Sequence, residues 1–195
     1  FVRTILHIIG IAAMFTSLRY LPLADAVAIA FVMPFIMLAL GATFLGEEVG
    51  PRRIAACTVG FVGTLLVVQP SFAEVGWPAL LPIVVAFVFS FYMLVSRHIA
   101  KECDPLALQT VSGFMATPMI VLLLAFTWGR EDSFFGIVTP NATETWLLLA
   151  IGVLGTCGHL LMTWSLRFAP SATVAPVQYL EIPFATLFGW MIFSD

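Results

Sequence analysis

Charge is what this 195-residue chain has least of: Asp, Glu, Lys and Arg together make up 10% of it, against roughly a quarter in an ordinary soluble domain. With 61% hydrophobic residues and a mean hydropathy of +1.07, a large core buried in water is excluded. A net charge of −3 gives no footing for nucleic acid. Cysteine is sparse too, and Cys57, Cys103 and Cys157 have neither metal-like spacing nor the pattern of a disulfide framework. No HExxH string, phosphate-binding loop or pair of carboxylates at a workable spacing occurs, so neither an enzyme nor a bound metal or cofactor is expected. A channel would need a continuous polar stripe or a repeated carbonyl filter, for which these segments are too apolar. The opening FVRTI lacks a methionine, a short positive region and a cleavage site. A fragment with material missing at both ends is the expectation.

What the chain has instead is apolar runs of about the 20 residues that cross some 30 Å of hydrocarbon. They fall at 5–20, 26–45, 54–68, 80–95, 106–126, 146–166 and 172–193. The arginines and the lysine sit almost entirely between them. Trp77, Trp128, Trp146 and Trp190 stand at run ends, where an amphipathic ring suits the headgroup level. Alternate loops carry Arg3, then Arg52 and Arg53, then Arg97 and Lys101, then Arg167; the other set carries only Arg19 and Arg130. The positive-inside rule puts the first set in the cytoplasm and the segment 129–145 outside.

One layout occurs twice. GIAAMFTSLRYLPLA from Gly10 overlays GHLLMTWSLRFAPSA from Gly158 at a constant offset of 148. Gly10/Gly158, Met14/Met162, Ser17/Ser165, Leu18/Leu166, Arg19/Arg167, Pro22/Pro170 and Ala24/Ala172 are identical, and Tyr20 matches Phe168 in kind. An apolar segment with an internal proline follows each copy, Pro34 in one and Pro183 in the other, ending FLGEE and IFSD. This reads as an internal duplication. An offset of five spans puts the copies on opposite sides of the membrane, so the repeats are inverted, the arrangement that supports alternating access. The fold class expected is an all-α, multi-span transmembrane bundle of two inverted repeats. Residues 1–69 would hold the last three helices of one five-helix unit, and 77–195 the first four of the next.

LRYLPLADAVAIAFVMPFIMLALGATFLGEEVGPRR and GTCGHLLMTWSLRFAPSATVAPVQYLEIPFATLFGWMIFSD resemble the paired EamA domains of the drug/metabolite transporter superfamily. Pro34 followed by Gly46 and Glu47 carries part of the likeness, and Asp195 stands where the second copy has its acidic residue before a tenth helix. The resemblance implies ten helices, of which these would be the third to the ninth. It also implies a secondary transporter of small metabolites in a bacterial inner membrane. The GH…APxQYxE pattern resembles bacterial vitamin importers, riboflavin transporters first. Export of amino acids or related metabolites remains open, as does a structural or receptor-like bundle. A small solute and membrane lipid are the expected partners, with a homodimer left open.

Glu181 is the only acidic residue deep in a span. A carboxylate there must face the interior or be protonated, so it either handles solute or protons or fastens two helices. Gln178 shares its helix face, Tyr179 offers a ring to a planar ligand, and Pro176 and Pro183 free backbone carbonyls on either side. At the matching places of the first copy stand Ala30 and Phe31, so the polar chemistry is concentrated in the second. His159, on one face with Thr156 and Thr163, is a candidate proton relay beside Glu181, or a histidine bonded to a neighbouring helix. The expected solute site is therefore His159, Gln178, Tyr179 and Glu181, with Phe31 and Tyr92 as walls. Ser90 and Gln109 read more readily as helix–helix bonds.

Overall fold

A computed structural model describes residues 1–70, 76–127 and 139–193. Trp128, most of the 129–145 loop and Asp195 lie outside the described residues. Among the described residues, nine α-helices run in the order α1 (Val2–Ser17), α2 (Leu23–Ala30), α3 (Met33–Leu45), α4 (Pro51–Val68), α5 (Leu80–Ala100), α6 (Pro105–Thr127), α7 (Ala142–Phe168), α8 (Ser171–Val174) and α9 (Glu181–Phe193). Short 3₁₀ segments at Trp77–Ala79 and Ala175–Leu180 lead into α5 and α9. Among the described residues, five helical stretches are long and apolar enough to cross a membrane: Leu23–Leu45, Pro51–Val68, Trp77–Ala100, Pro105–Phe126 and Ala142–Phe168.

Local sequence explains the ends. Gly46 closes α3 at φ +61, a left-handed conformation in which a Cβ would be strained. Pro51 starts α4 at a position where its missing N–H costs nothing. Asn141 and Glu144 cap α7 reciprocally: the Asn141 side chain accepts from the Glu144 amide at 2.9 Å, and the Glu144 carboxylate accepts from the Asn141 amide at 2.8 Å.

Two runs expected as single spans each carry a local break in helix geometry, the first of them remaining one stretch, Leu23–Leu45, long enough to span. The first breaks at Phe31–Val32, between α2 and α3; the second passes from α8 through 3₁₀ geometry before α9 begins. The restarts are equivalent, since Met33 and Glu181 differ by the repeat offset of 148. Proline is the local cause: Pro34 and Pro183 have no N–H for the carbonyl four residues back, so the helix cannot run straight through.

The copies run in opposite directions. Arg3 and His7 of α1 meet Thr163 and His159 of α7 in that order, so one helix ascends as the other descends. Phe31, Met37 and Glu47 likewise meet Tyr179, Gln178 and Ser171 in reverse sequence order. Phe31 and Tyr179 are themselves equivalent, and their rings stack with centroids 5.6 Å apart. An equivalent pair in mutual contact lies on the axis relating the two copies. The core is built around that axis: Phe31, Met37, Leu38, Cys57, Tyr92, Met93, Leu166, Ala172, Ala175 and Tyr179 form one buried cluster.

One assignment needs correcting. Arg3 is not a loop charge; α1 starts at Val2, which carries the guanidinium into the bundle, where the residue is 3% exposed. The basic count favouring a cytoplasmic side therefore rests on Arg52, Arg53, Arg97, Lys101 and Arg167.

Candidate functional site

A cavity of about 520 Å³ lies against both helix breaks. Three equivalent pairs line it: Met14 with Met162, Ala30 with Gln178, and Met33 with Glu181. His159 and Phe31 complete its characterised edge, and Phe89, Met93 and Val85 of α5 form an apolar wall. A chamber lined by equivalent residues sits on the axis between the copies. Its polar atoms nevertheless come from the second copy alone, as Gln178, Glu181 and His159 stand opposite Ala30, Met33 and Ile11.

The polar groups are underused. Gln178 donates one of its two amide N–H groups to the Met37 sulfur at 3.3 Å, and its Oε1 is buried with no partner. His159 Nδ1 is also buried without a partner. A buried polar atom left unpaired costs about 1–3 kcal/mol. Glu181 is exposed at the cavity and, among the described residues, its side chain makes no hydrogen bond or ion pair. Hence nothing observed here fastens Glu181 to a neighbouring helix.

The structure brings His159, Gln178, Glu181 and Phe31 to one cavity; the two tyrosines stand behind it. Tyr179 is buried, donates its hydroxyl to the Phe31 carbonyl at 2.9 Å and lies against Gly60, where any Cβ would collide with its ring. Tyr92 is 1% exposed, and its hydroxyl accepts from Arg3 Nη2 at 2.7 Å. Ser90 directs its hydroxyl at the carbonyls of Ala86 and Met33, stitching α5 to the first break.

Three functional residues escaped the sequence reading. His7 places its Nε2 3.2 Å from His159 Nε2, its ring stacked on Tyr92 with centroids 5.1 Å apart. Arg3, one turn before it, donates to Ser96 at 3.0 Å, Gln109 at 3.0 Å and Thr163 at 3.4 Å, and also to Ser112. Gln109 and Tyr92 had stood out singly as polar groups within spans, and Arg3 is the hub they share. Glu47 is the third. Its carboxylate accepts from the Ser171 amide at 3.0 Å, the Ser171 hydroxyl at 2.7 Å and the Ala172 amide at 2.8 Å, and pairs with Arg97 at 3.6 Å. Arg97 in turn donates to the carbonyls of Leu166 and Arg167. Partial burial opposes ionisation of Glu47, but the Ser171 and Ala172 donors and the Arg97 charge outweigh it and hold the carboxyl below its ordinary range. This latch ties the corner after α3 to the start of α8.

Inverted copies, interrupted helices and a chamber on the axis between them define a class: membrane proteins built like secondary transporters. The chain belongs to the EamA-like transporter family, whose model matches residues 1–69 and again 76–195. It is therefore an integral membrane protein. A riboflavin transporter of Rhizobium johnstonii is 29% identical over 98% of this chain and 61% of its own length. One of Vibrio cholerae is 25% identical, over 98% and 62%. A pseudopaline exporter of Pseudomonas aeruginosa is 26% identical over the whole of this chain and 66% of its own length. The chain thus spans a little over three fifths of the riboflavin transporters. A solved crystal structure superposes with a TM-score of 0.72 at 21% identity, covering 92% of this chain and 62% of the other, and shares its fold.

Proposed function

We propose that the full-length protein is a secondary transporter that carries a small metabolite by alternating access, with riboflavin or a related vitamin as the solute. The observation that carries this is the on-axis cavity of about 520 Å³ lined by the polar residues His159, Gln178 and Glu181 of the second copy amid apolar side chains. Within hydrocarbon, irregular backbone and unpaired polar groups persist where they line a cavity that takes up something polar. Residues 1–69 act as part of one repeat and 77–195 as part of the other, rocking about the Phe31–Tyr179 contact.

In this reading His159, Gln178 and Glu181 contact the solute and Phe31 walls it, while Tyr92 and Tyr179 hold those groups in place. Glu181 and His159 are the groups that exchange a coupling proton. The bacterial relatives support an inner-membrane location. Membrane lipid covers the apolar outer surface, and the exposed faces of α6 and α7 leave room for a homodimer. Likeness to a pseudopaline exporter favours one second reading, in which net flux runs outward.

Uptake of labelled riboflavin into liposomes containing the full-length protein tests this, alongside other vitamins and amino acids. Accumulation of riboflavin above empty liposomes is expected. Accumulation of a different metabolite would keep the transporter and remove the vitamin; accumulation of none, in either direction of gradient, would remove both.

A further inference from the structure

Helices α5 and α7 show where the cavity stands relative to the Glu47 latch. On α5 the cavity residues are Val85, Ala86, Phe89 and Met93, and Arg97 follows one turn further on. On α7 they are Gly155, Gly158, His159 and Met162. The carbonyls of Leu166 and Arg167, which accept from Arg97, again follow one turn further on. The latch therefore lies between the cavity and the end of the bundle that carries Lys101. Ser96 and Thr163 fall between the two levels and Leu166 at the latch itself. All three are 0% exposed, so the cavity is shut on this side.

The latch joins one copy to the other. Glu47 belongs to the first, whereas Arg97 and the three donors, the Ser171 amide and hydroxyl and the Ala172 amide, belong to the second. Only a carboxylate accepts on two oxygens at once while opposing the Arg97 charge. Its aim is set by the corner after α3, where the Gly41 carbonyl accepts the Glu47 amide at 3.0 Å. Gly41 also supplies the room: a Cβ there would lie 2.9 Å from Glu47 Oε2 and 2.9 Å from Ser171 Oγ, too near for both to stay. A rotation of the copies about the Phe31–Tyr179 contact cannot open this end while Glu47 remains bonded to Ser171.

We propose that Glu47, Arg97 and Ser171, seated on Gly41, are the gate that shuts the cavity at the Lys101 end, and that this latch breaks and re-forms in each transport cycle. When the copies part, water solvates both charges, so the latch can open where an apolar seam would expose unsolvated surface. The shut position stands on the contacts above; its breaking in a cycle rests on the transport reading.

The test uses full-length protein with Met162, on the cavity wall, replaced by cysteine and the native cysteines by alanine. An impermeant thiol reagent is applied to the membrane face from which cysteine at the exposed Lys101 reacts. From that face Met162→Cys should react slowly, and about tenfold or more faster when Glu47→Gln or Gly41→Ala is added. Arg97→Met serves as a third way to break the latch. Unchanged rates in the folded variants overturn the proposal. The converse is a lock. With 2.9 Å from a Gly41 Cβ to Ser171 Oγ, cysteines at these two positions come within reach of a disulfide, whose Cβ atoms stand about 3.5–4.5 Å apart. In Gly41→Cys/Ser171→Cys, oxidation should stop both the slow labelling of Met162→Cys and riboflavin exchange in liposomes, and reduction should restore exchange. Labelling or exchange that continues with the disulfide formed overturns the gate, and this arm decides alone should the other variants fail to fold. No riboflavin exchange by the unaltered protein would remove the vitamin from the function proposed above, while the labelling rates would still decide whether the latch shuts the cavity.

Discussion

Glu47→Gln is the change from which most can be worked out. The carboxylate has 9% of its side chain exposed and its partner Arg97 has 11%, so solvent screens the pair little. Gln keeps one acceptor oxygen but sets an NH₂ against donors that now have nowhere to go. At least one of the bonds from Ser171 and Ala172 is lost, together with the charge opposite Arg97. A hydrogen bond to a charged group is worth about 1.5–3 kcal/mol. A net loss of about 2–3 kcal/mol is expected, a shift of roughly 30- to 160-fold in the equilibrium between latched and unlatched forms. The sign with pH follows from the depressed carboxyl. Its contribution is complete above the carboxyl's unfolded-state range and is lost as pH falls through its lower folded-state value. The assay is a double-mutant cycle with Arg97→Met, read by detergent melting of the full-length protein at neutral and acid pH. A coupling of about 1–2 kcal/mol that fades toward acid is expected. Additive losses within about 0.5 kcal/mol, or a coupling that grows on acidification, would refute the reasoning.

Three further outcomes follow from the same contacts. Gly60→Ala places a methyl against the Tyr179 ring and should lower the melting temperature, whereas Gly63→Ala, with open space around it, should be nearly neutral. Tyr179→Phe leaves the Phe31 carbonyl unpaired and should cost about 1–3 kcal/mol in the same melting assay; an unchanged melt would show that the Tyr179–Phe31 bond does not hold the two breaks together. Cysteine placed at Lys101 should be shielded from an impermeant reagent in intact cells and cysteine at Asn141 labelled, both residues being exposed; the opposite pattern would reverse the orientation.

The duplication was legible because Ser17-Leu18-Arg19 and Ser165-Leu166-Arg167 are local strings with a fixed following proline. From that string alone come the inverted copies and, through Pro34 and Pro183, the places where the helices are disturbed. The local turn and the 3₁₀ geometry were not legible. A proline at the second or third position of a restarted helix looks the same in sequence as one in the middle of a continuous helix. Glu181 and Gln178 announced themselves as polar residues in an apolar run. His7 did not, because its meaning lies in His159, 152 positions away. Glu47 entered only as part of the family likeness, and its bonds were hidden for the same reason, its partners being 124 and 125 positions distant. Arg3 misled for a different reason: charge counting assigns a cation near the end of an apolar run to the loop, and here three helices, α5, α6 and α7, supply side-chain acceptors that bring it inside. Patterns of polar residues one per span, such as Tyr92, Gln109 and Thr163, were the available signal for such a hub.

The central claim is that the cavity at the two helix breaks is where solute and coupling proton meet, and Glu181→Gln tests it most directly. Full-length protein carrying this change is reconstituted in liposomes, and gradient-driven uptake of riboflavin is measured beside riboflavin exchange, with detergent melting as the control for folding. An unchanged melt is expected, because the Glu181 side chain makes no hydrogen bond or ion pair among the described residues. Gradient-driven uptake should fall further than exchange. Normal uptake by the variant, or a collapsed melt showing that Glu181 fastens helices together, would contradict the claim.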